Sequence, residues 1–171
     1  SRFWDVDYDF HPQFDIDDDG FLSSLAIHIQ DTLGADPGRT FVTGFSNGAE
    51  MVLQLACRES ETFTGFGSVI GMMLESLFNV CHPTVKRPML AMNGTADGIT
   101  IYSGDLGNSG GWGAYGSIPN LISLWVDLVE TPILDRSFLE NSSPNDGSMV
   151  RLDSYTGKNH SREVRFYSIN G

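Results

Sequence analysis

The 171-residue sequence predicts an α/β fold with a mostly parallel sheet, and three observations carry that expectation. A β-type run turns into a helical pattern across a glycine-flanked serine within residues 39–57. An unbroken apolar run, 88–94, is bounded by Pro88 and Gly94, and helical and strand-like segments alternate along the chain. With 40% hydrophobic and 19% charged residues the composition is that of a folded domain, and residues 1–171 are read as one unit.

Residues 1–19 interleave Phe3, Trp4, Tyr8, Phe10 and Phe14 with seven aspartates and lack strand alternation, so they are expected to lie as a loop over a neighbouring surface. Asp15, Asp17, Asp19 and Gly20 have the spacing that opens an EF-hand loop, which makes calcium binding an alternative. Against it, the twelfth position is Ala26 where a bidentate Glu is needed, and His11-Pro12-Gln13 form no entering helix. The leading reading is a helix start, with Asp17, Asp18 and Asp19 at the positive end of the dipole. Phe21, Leu22, Leu25, Ala26, Ile29 and Leu33 then recur at helical spacing, Gly34 closes the helix, and Asp36-Pro37-Gly38 turns the chain.

Phe41 and Val42 read as a strand broken at Gly44, and Met51, Leu53, Leu55 and Ala56 as a helix beginning after Gly48. Ser46 therefore falls on a strand-to-helix turn, with Gly44 and Gly48 expected to clear space on either side. Residues 65–71 predict a short buried strand and 72–80 a less regular stretch. Residues 88–94 predict a central parallel strand buried on both faces. A glycine-rich loop over 103–116, a helix over 118–129 and two strands over 149–155 and 163–169 complete the pattern.

Ten Lys+Arg against 22 Asp+Glu give a net charge of −12, which repels phosphate backbones and anionic lipid and argues against nucleic-acid and membrane partners. The given residues hold no run of 18 apolar residues, and none of them reads as a signal peptide. The chain opens Ser1-Arg2 without a Met, from which processing or cutting from a longer protein is expected. Cys57 and Cys81 allow one disulfide without requiring it.

The Gly44-Phe-Ser46-Asn-Gly48 turn is the setting of a nucleophile elbow. There Ser46 is the nucleophile, and the Asn47 backbone N–H, unpaired at a helix start, stabilises the oxyanion. Such a serine needs an acid and a base; Asp97, just past a strand end, fits the acid, although an Asp before Gly98 also suits an ordinary turn.

Gly44-Phe-Ser46-Asn-Gly48-Ala49, Asn93-Gly94-Thr95-Ala96-Asp97 and Ile101-Tyr102 resemble the elbow and acid loop of the polyhydroxybutyrate depolymerase and feruloyl esterase family of secreted α/β-hydrolases. Asp18-Asp19-Gly20-Phe21 and Asp36-Pro37-Gly38-Arg39 are similar to that family's lead into the elbow, and only 72–80 and 134–147 are clearly less similar. Departures are Asn93 for His, Ala49 for Gly, and Gly98 and Ile101 for two prolines.

The resemblance implies a serine esterase that hydrolyses polyhydroxyalkanoate, feruloyl or short-chain acyl esters through an acyl-enzyme, without metal or cofactor. It also implies export. It places the base in a loop after a strand like 163–169, so the chain is expected to end before its histidine and to begin after the fold's first strands. His160 is the alternative base. Such a piece is expected to be inactive alone and poorly soluble along its open sheet edge. Tyr102, Trp112 and Tyr115 are candidates to line an acyl pocket, and Cys57 and Cys81 are expected to be bonded in an exported protein. The rival to an enzyme is a non-catalytic binding protein on the same scaffold.

Overall fold

The computed structural model describes residues 3–10, 16–158 and 162–171. Asp18–Leu33 form α1, Phe41–Phe45 β1, Asn47–Arg58 α2, Gly65–Val69 β2, Glu75–Phe78 α3 and Met89–Gly94 β3. Ile118–Val129 (α4), Ile133–Phe138 (β4), Met149–Thr156 (β5) and Glu163–Asn170 (β6) follow. One six-stranded sheet has the order β1-β2-β3-β6-β5-β4, parallel from β1 to β6 and antiparallel from β6 through β5 to β4. This is an α/β fold with a mixed sheet.

Local chemistry sets the boundaries. Asp17 caps α1 by accepting the Gly20 N–H at 2.8 Å, Asp18 and Asp19 occupy the first turn, and Gly34 ends the helix at φ 68°. Ser117 caps α4, and its Oγ accepts the Asn120 N–H at 3.3 Å. The predicted elements are all present; the one-turn α3, in a stretch that reads as less regular, and β4, in a stretch of little resemblance, are additions. The six residues of β4 are all exposed, so the strand forms by backbone pairing with β5 rather than by a core pattern that periodicity detects.

Side chains at alternate strand positions share a face. Phe66, Met89 and Val164 pack with Met51, Val52 and Leu55 of α2 and Leu121, Trp125 and Val129 of α4 in one core, and Ala91 and Phe166 pack with Ile118 and Ile122. Each fully buried aliphatic or aromatic side chain there contributes about 1.5–3 kcal/mol. The opposite face, with Phe41, Thr43, Gly67, Leu90 and Arg165, surrounds an open hollow of about 460 Å3. The expectation that 88–94 is buried on both faces is therefore corrected: β3 alternates, Met89 and Ala91 being buried and Leu90 36% exposed. A run of apolar residues reads the same whether one face or both are covered.

The periodic residues of α1 likewise divide. Leu22 and Ala26 pack against the core, whereas Phe21, Leu25, Ile29 and Leu33 are exposed. Cys57 at the end of α2 is disulfide-bonded to Cys81, with Cα atoms 5.1 Å apart, as expected. On β5 the buried Asp153 accepts two bonds from Arg136, at 2.6 and 2.9 Å, and lies 3.3 Å from Arg151.

Candidate active site

β1 delivers its chain to the C-terminal edge of the sheet, and Ser46 reverses it into α2 within one residue. Ser46 has φ 54° and ψ −125°, a conformation that a non-glycine residue adopts only when its surroundings impose it. Here the Ser46 N–H donates to Val69 O at 2.9 Å, and Ser46 O accepts from Ala49 N at 2.7 Å and Glu50 N at 3.1 Å. One end of the residue is tied to β2 and the other to the first turn of α2. The outcome is an exposed serine side chain at a helix start, as an elbow requires.

The two flanking glycines differ. A Cβ at Gly44 would lie 2.1 Å from Gly48 O, so this position must be glycine; a Cβ at Gly48 would meet only Trp4 Nε1, at 3.9 Å. The expectation that both clear the turn holds for Gly44 alone, because α2 turns back over Gly44 and leaves Gly48 facing outward.

Asn47 has two roles available. Its backbone N–H has no partner among the described residues, as the start of a helix leaves it. Its side chain grips the segment before α1: Oδ1 accepts the Trp4 N–H at 2.7 Å, and Nδ2 donates to Trp4 O at 3.2 Å and to the Tyr8 hydroxyl at 3.3 Å. Further along α2 the same surface continues the hold. The Tyr8 hydroxyl donates to Glu50, Gln54 Nε2 donates to Asp5 O at 3.2 Å and to Asp19, and Arg58 pairs with Asp19 at 2.9 Å and Asp7 at 3.3 Å. The described part of the aromatic and acidic stretch, residues 3–10, thus packs over a neighbouring surface, as expected, and that surface is the polar stripe of the elbow helix; residues 1, 2 and 11–15 of the stretch lie outside the described residues.

Ser46, Asn47, Glu50, Tyr8, Trp112 and Thr100 are among the residues that enclose a cavity of about 40 Å3, and a larger groove of about 550 Å3 runs past Ser46 along β1, on the edge that no described strand pairs. Asp97 lies beyond the end of β3, on the same edge of the sheet as Ser46. Its Oδ1 accepts the N–H groups of Ile99 at 2.8 Å and Thr100 at 2.9 Å. Those bonds form the Asx turn that the sequence admits, and they carry Ile99 and Thr100 to the wall of the Ser46 cavity.

Of the three aromatic candidates, Trp112 lines that cavity. Tyr115 is buried in the core, its hydroxyl accepting the Ile101 N–H at 3.0 Å, and Tyr102 stacks on Phe166 at 6.4 Å. His28 lies in α1 and His82 in the loop before β3, and neither borders the cavity or the groove. His11 and His160 lie outside the described residues, as does Asp15. Asp17 and Asp19 of the calcium alternative are engaged by the helix cap and by Gln54 and Arg58; among the described residues no group of His, Cys, Asp or Glu is gathered as a metal ion would need.

Neither Glu50 nor Tyr8 stands out in the sequence as a site residue. Glu50 is 7% exposed, and burial pushes its carboxyl up to about 7 although the Tyr8 hydroxyl and the Met72 N–H act the other way. The Tyr8 hydroxyl is itself raised, first by burial and then by the Glu50 charge. The available signal is the spacing of Asn47, Glu50, Gln54 and Arg58, a polar stripe at three- and four-residue intervals on an otherwise apolar helix.

No protein-family model matches the chain. Over 96 residues it is 31% identical to NocK of Nocardia uniformis subsp. tsuyamanensis, a protein carrying an esterase name; the match takes in 56% of this chain and 27% of that protein. The fold superposes on an acetyl xylan esterase from Aspergillus awamori with a TM-score of 0.51 and 12% identity, over 88% of this chain and 60% of the other. For esterase PE8 the TM-score is 0.47 and the identity 22%, over 64% and 45% of the two chains. The chain thus spans about a quarter of the length of the relative it matches in sequence, and between 45% and 60% of the two solved structures. It is similar to esterases, in sequence over part of its length, and its fold is that of structural neighbours of the α/β-hydrolase type.

Proposed function

We propose that this chain carries the nucleophile and the acid of a serine esterase. The observation that carries the reading is the backbone of Ser46, a non-glycine residue at φ 54° between a parallel strand and a helix start, with the Asn47 N–H beside it unpaired among the described residues. In this reading Ser46 Oγ attacks the acyl carbon while a histidine base takes its proton. The oxyanion is held by the Asn47 N–H, the alcohol leaves with the proton, and water then releases the acid from the acyl-enzyme. Asp97 orients the base. The cavity and groove beside Ser46 receive the ester, and the disulfide supports an exported protein. Polyhydroxyalkanoate, feruloyl and short-chain acyl esters are the substrate classes that the elbow and acid-loop motifs favour.

Ser46→Ala in the whole protein is expected to abolish ester hydrolysis with a native circular dichroism spectrum. Asp97→Asn is expected to lower kcat by about 10⁴. Hydrolysis by the alanine variant at the wild-type rate would remove Ser46 from the mechanism, and a loss under about tenfold in the second variant would move the acid elsewhere. Fluorophosphonate labelling separates this reading from a non-catalytic binding protein, since only an activated serine reacts.

A further inference from the structure

We propose that Glu50 is a positioning residue for the reaction at Ser46, supporting the oxyanion donor Asn47 when uncharged and opposing the oxyanion when charged. This rests on the reading of Ser46 as nucleophile. Glu50 stands one helical turn after Ser46, its N–H donates to Ser46 O at 3.1 Å, and its side chain borders the same cavity as Ser46 and Asn47. The Tyr8 hydroxyl connects the two groups, donating to Glu50 while it accepts from Asn47 Nδ2. A change of charge on the carboxyl is thereby felt in the hydrogen bonds of Asn47 as well as through space.

The described groups that face Glu50 do not neutralise it. Tyr8 comes from the segment before α1 and the Met72 N–H from the loop after β2; Tyr115 also feels the Glu50 charge, together with those of Asp105 and Asp97. Arg58, the cation of the same helix, lies two turns further on and is occupied by Asp7 and Asp19. Among the described residues a charge on Glu50 therefore meets dipoles but no counter-ion in that wall of the cavity, and a second negative charge forming on the substrate oxygen is repelled by it.

The sign follows from the carboxyl's position at about 7. Below that pH the group is neutral and the oxyanion forms unopposed; above it the charge appears and the reaction slows. A histidine base has the opposite sign, gaining activity as pH rises, so the two are separable.

The test is the pH profile of kcat/KM for p-nitrophenyl acetate with the whole protein, in wild type, Glu50→Gln and Tyr8→Phe. Wild type is expected to lose about tenfold in rate from its optimum to about pH 9, and Glu50→Gln to lose the descending limb because its amide never ionises. Tyr8→Phe removes the hydroxyl that stabilises the charged form, and its limb is expected to move to higher pH. A Glu50→Gln profile that superimposes on wild type overturns the proposal. Should that variant not fold, an unshifted limb in Tyr8→Phe overturns it equally. If Ser46→Ala keeps wild-type turnover, or the whole protein neither hydrolyses the ester nor takes a fluorophosphonate, the nucleophile itself fails and this inference falls with it. Dependence on Ser46 with no effect of Glu50 on the profile sinks only the role of Glu50.

Discussion

An alanine at position 44 would press its Cβ within 2.1 Å of a carbonyl oxygen in the next helix, whereas the same methyl at position 48 meets ordinary van der Waals distance. Gly44→Ala is accordingly expected to destabilise the fold by more than about 3 kcal/mol, since the obstacle is backbone and cannot rotate away. Gly48→Ala is expected to change stability by less than about 1 kcal/mol, with lost freedom of the unfolded chain in its favour. Urea titrations of the two variants check the contrast; equal losses would mean that the turn is held by something other than this one contact. The sequence shows two glycines at equal distance from Ser46. Only the path of α2 back over β1 distinguishes them.

At the scale of elements, α2 is the member through which the site is held. Its apolar side faces the sheet, its polar stripe holds the segment before α1, and its last turn is bonded through Cys57 to Cys81. The disulfide closes a loop of 24 residues that contains β2 and α3, and replacing both cysteines by serine is expected to cost about 3 kcal/mol. Urea midpoints of that variant and of reduced wild type should coincide. A variant as stable as the oxidised protein would show the crosslink to be idle. The start and end of α1 were legible in the sequence because caps are local: Asp17 and Gly34 act within four residues of themselves, whereas the four-residue α3 falls in a stretch that reads as irregular. What each helix covers was not legible. Periodicity marks Phe21, Leu25, Ile29 and Leu33 as one apolar side of α1 without saying that this side stays exposed. The same gap hid Glu50, whose partner Tyr8 lies 42 residues earlier in the chain.

For the molecule as a whole, the helices lie on one side of the sheet and leave the other side and the β1 edge in contact with solvent. Phe41 and Phe45 are 68% and 66% exposed there, on a strand that is unpaired along its outer edge among the described residues. An edge of this kind is a template for further pairing. The 171-residue chain is expected to self-associate, and Phe41→Lys with Phe45→Lys to reduce that association without altering the core. Sedimentation velocity measures it, and association undiminished in the double variant would place the contact elsewhere. The parallel half of the sheet was legible from apolar runs and glycine boundaries; its one-sidedness was not, because a strand's composition records its own hydrophobicity and not the number of layers around it.

The nine consecutive residues from Ala49 to Cys57 are all buried, including Glu50 and Gln54. Few helices lack a solvent face on which sequence can drift freely, and this one has a core on one side and a gripped peptide on the other. Neutral variation in that stretch is therefore closed off in both chemical directions: a polar replacement disturbs the sheet side, and an apolar one releases residues 3–10. Across variants of this protein, change on α2 should come in pairs, with a substitution at position 50 answered by one at position 8 and a substitution at position 54 by one at position 19.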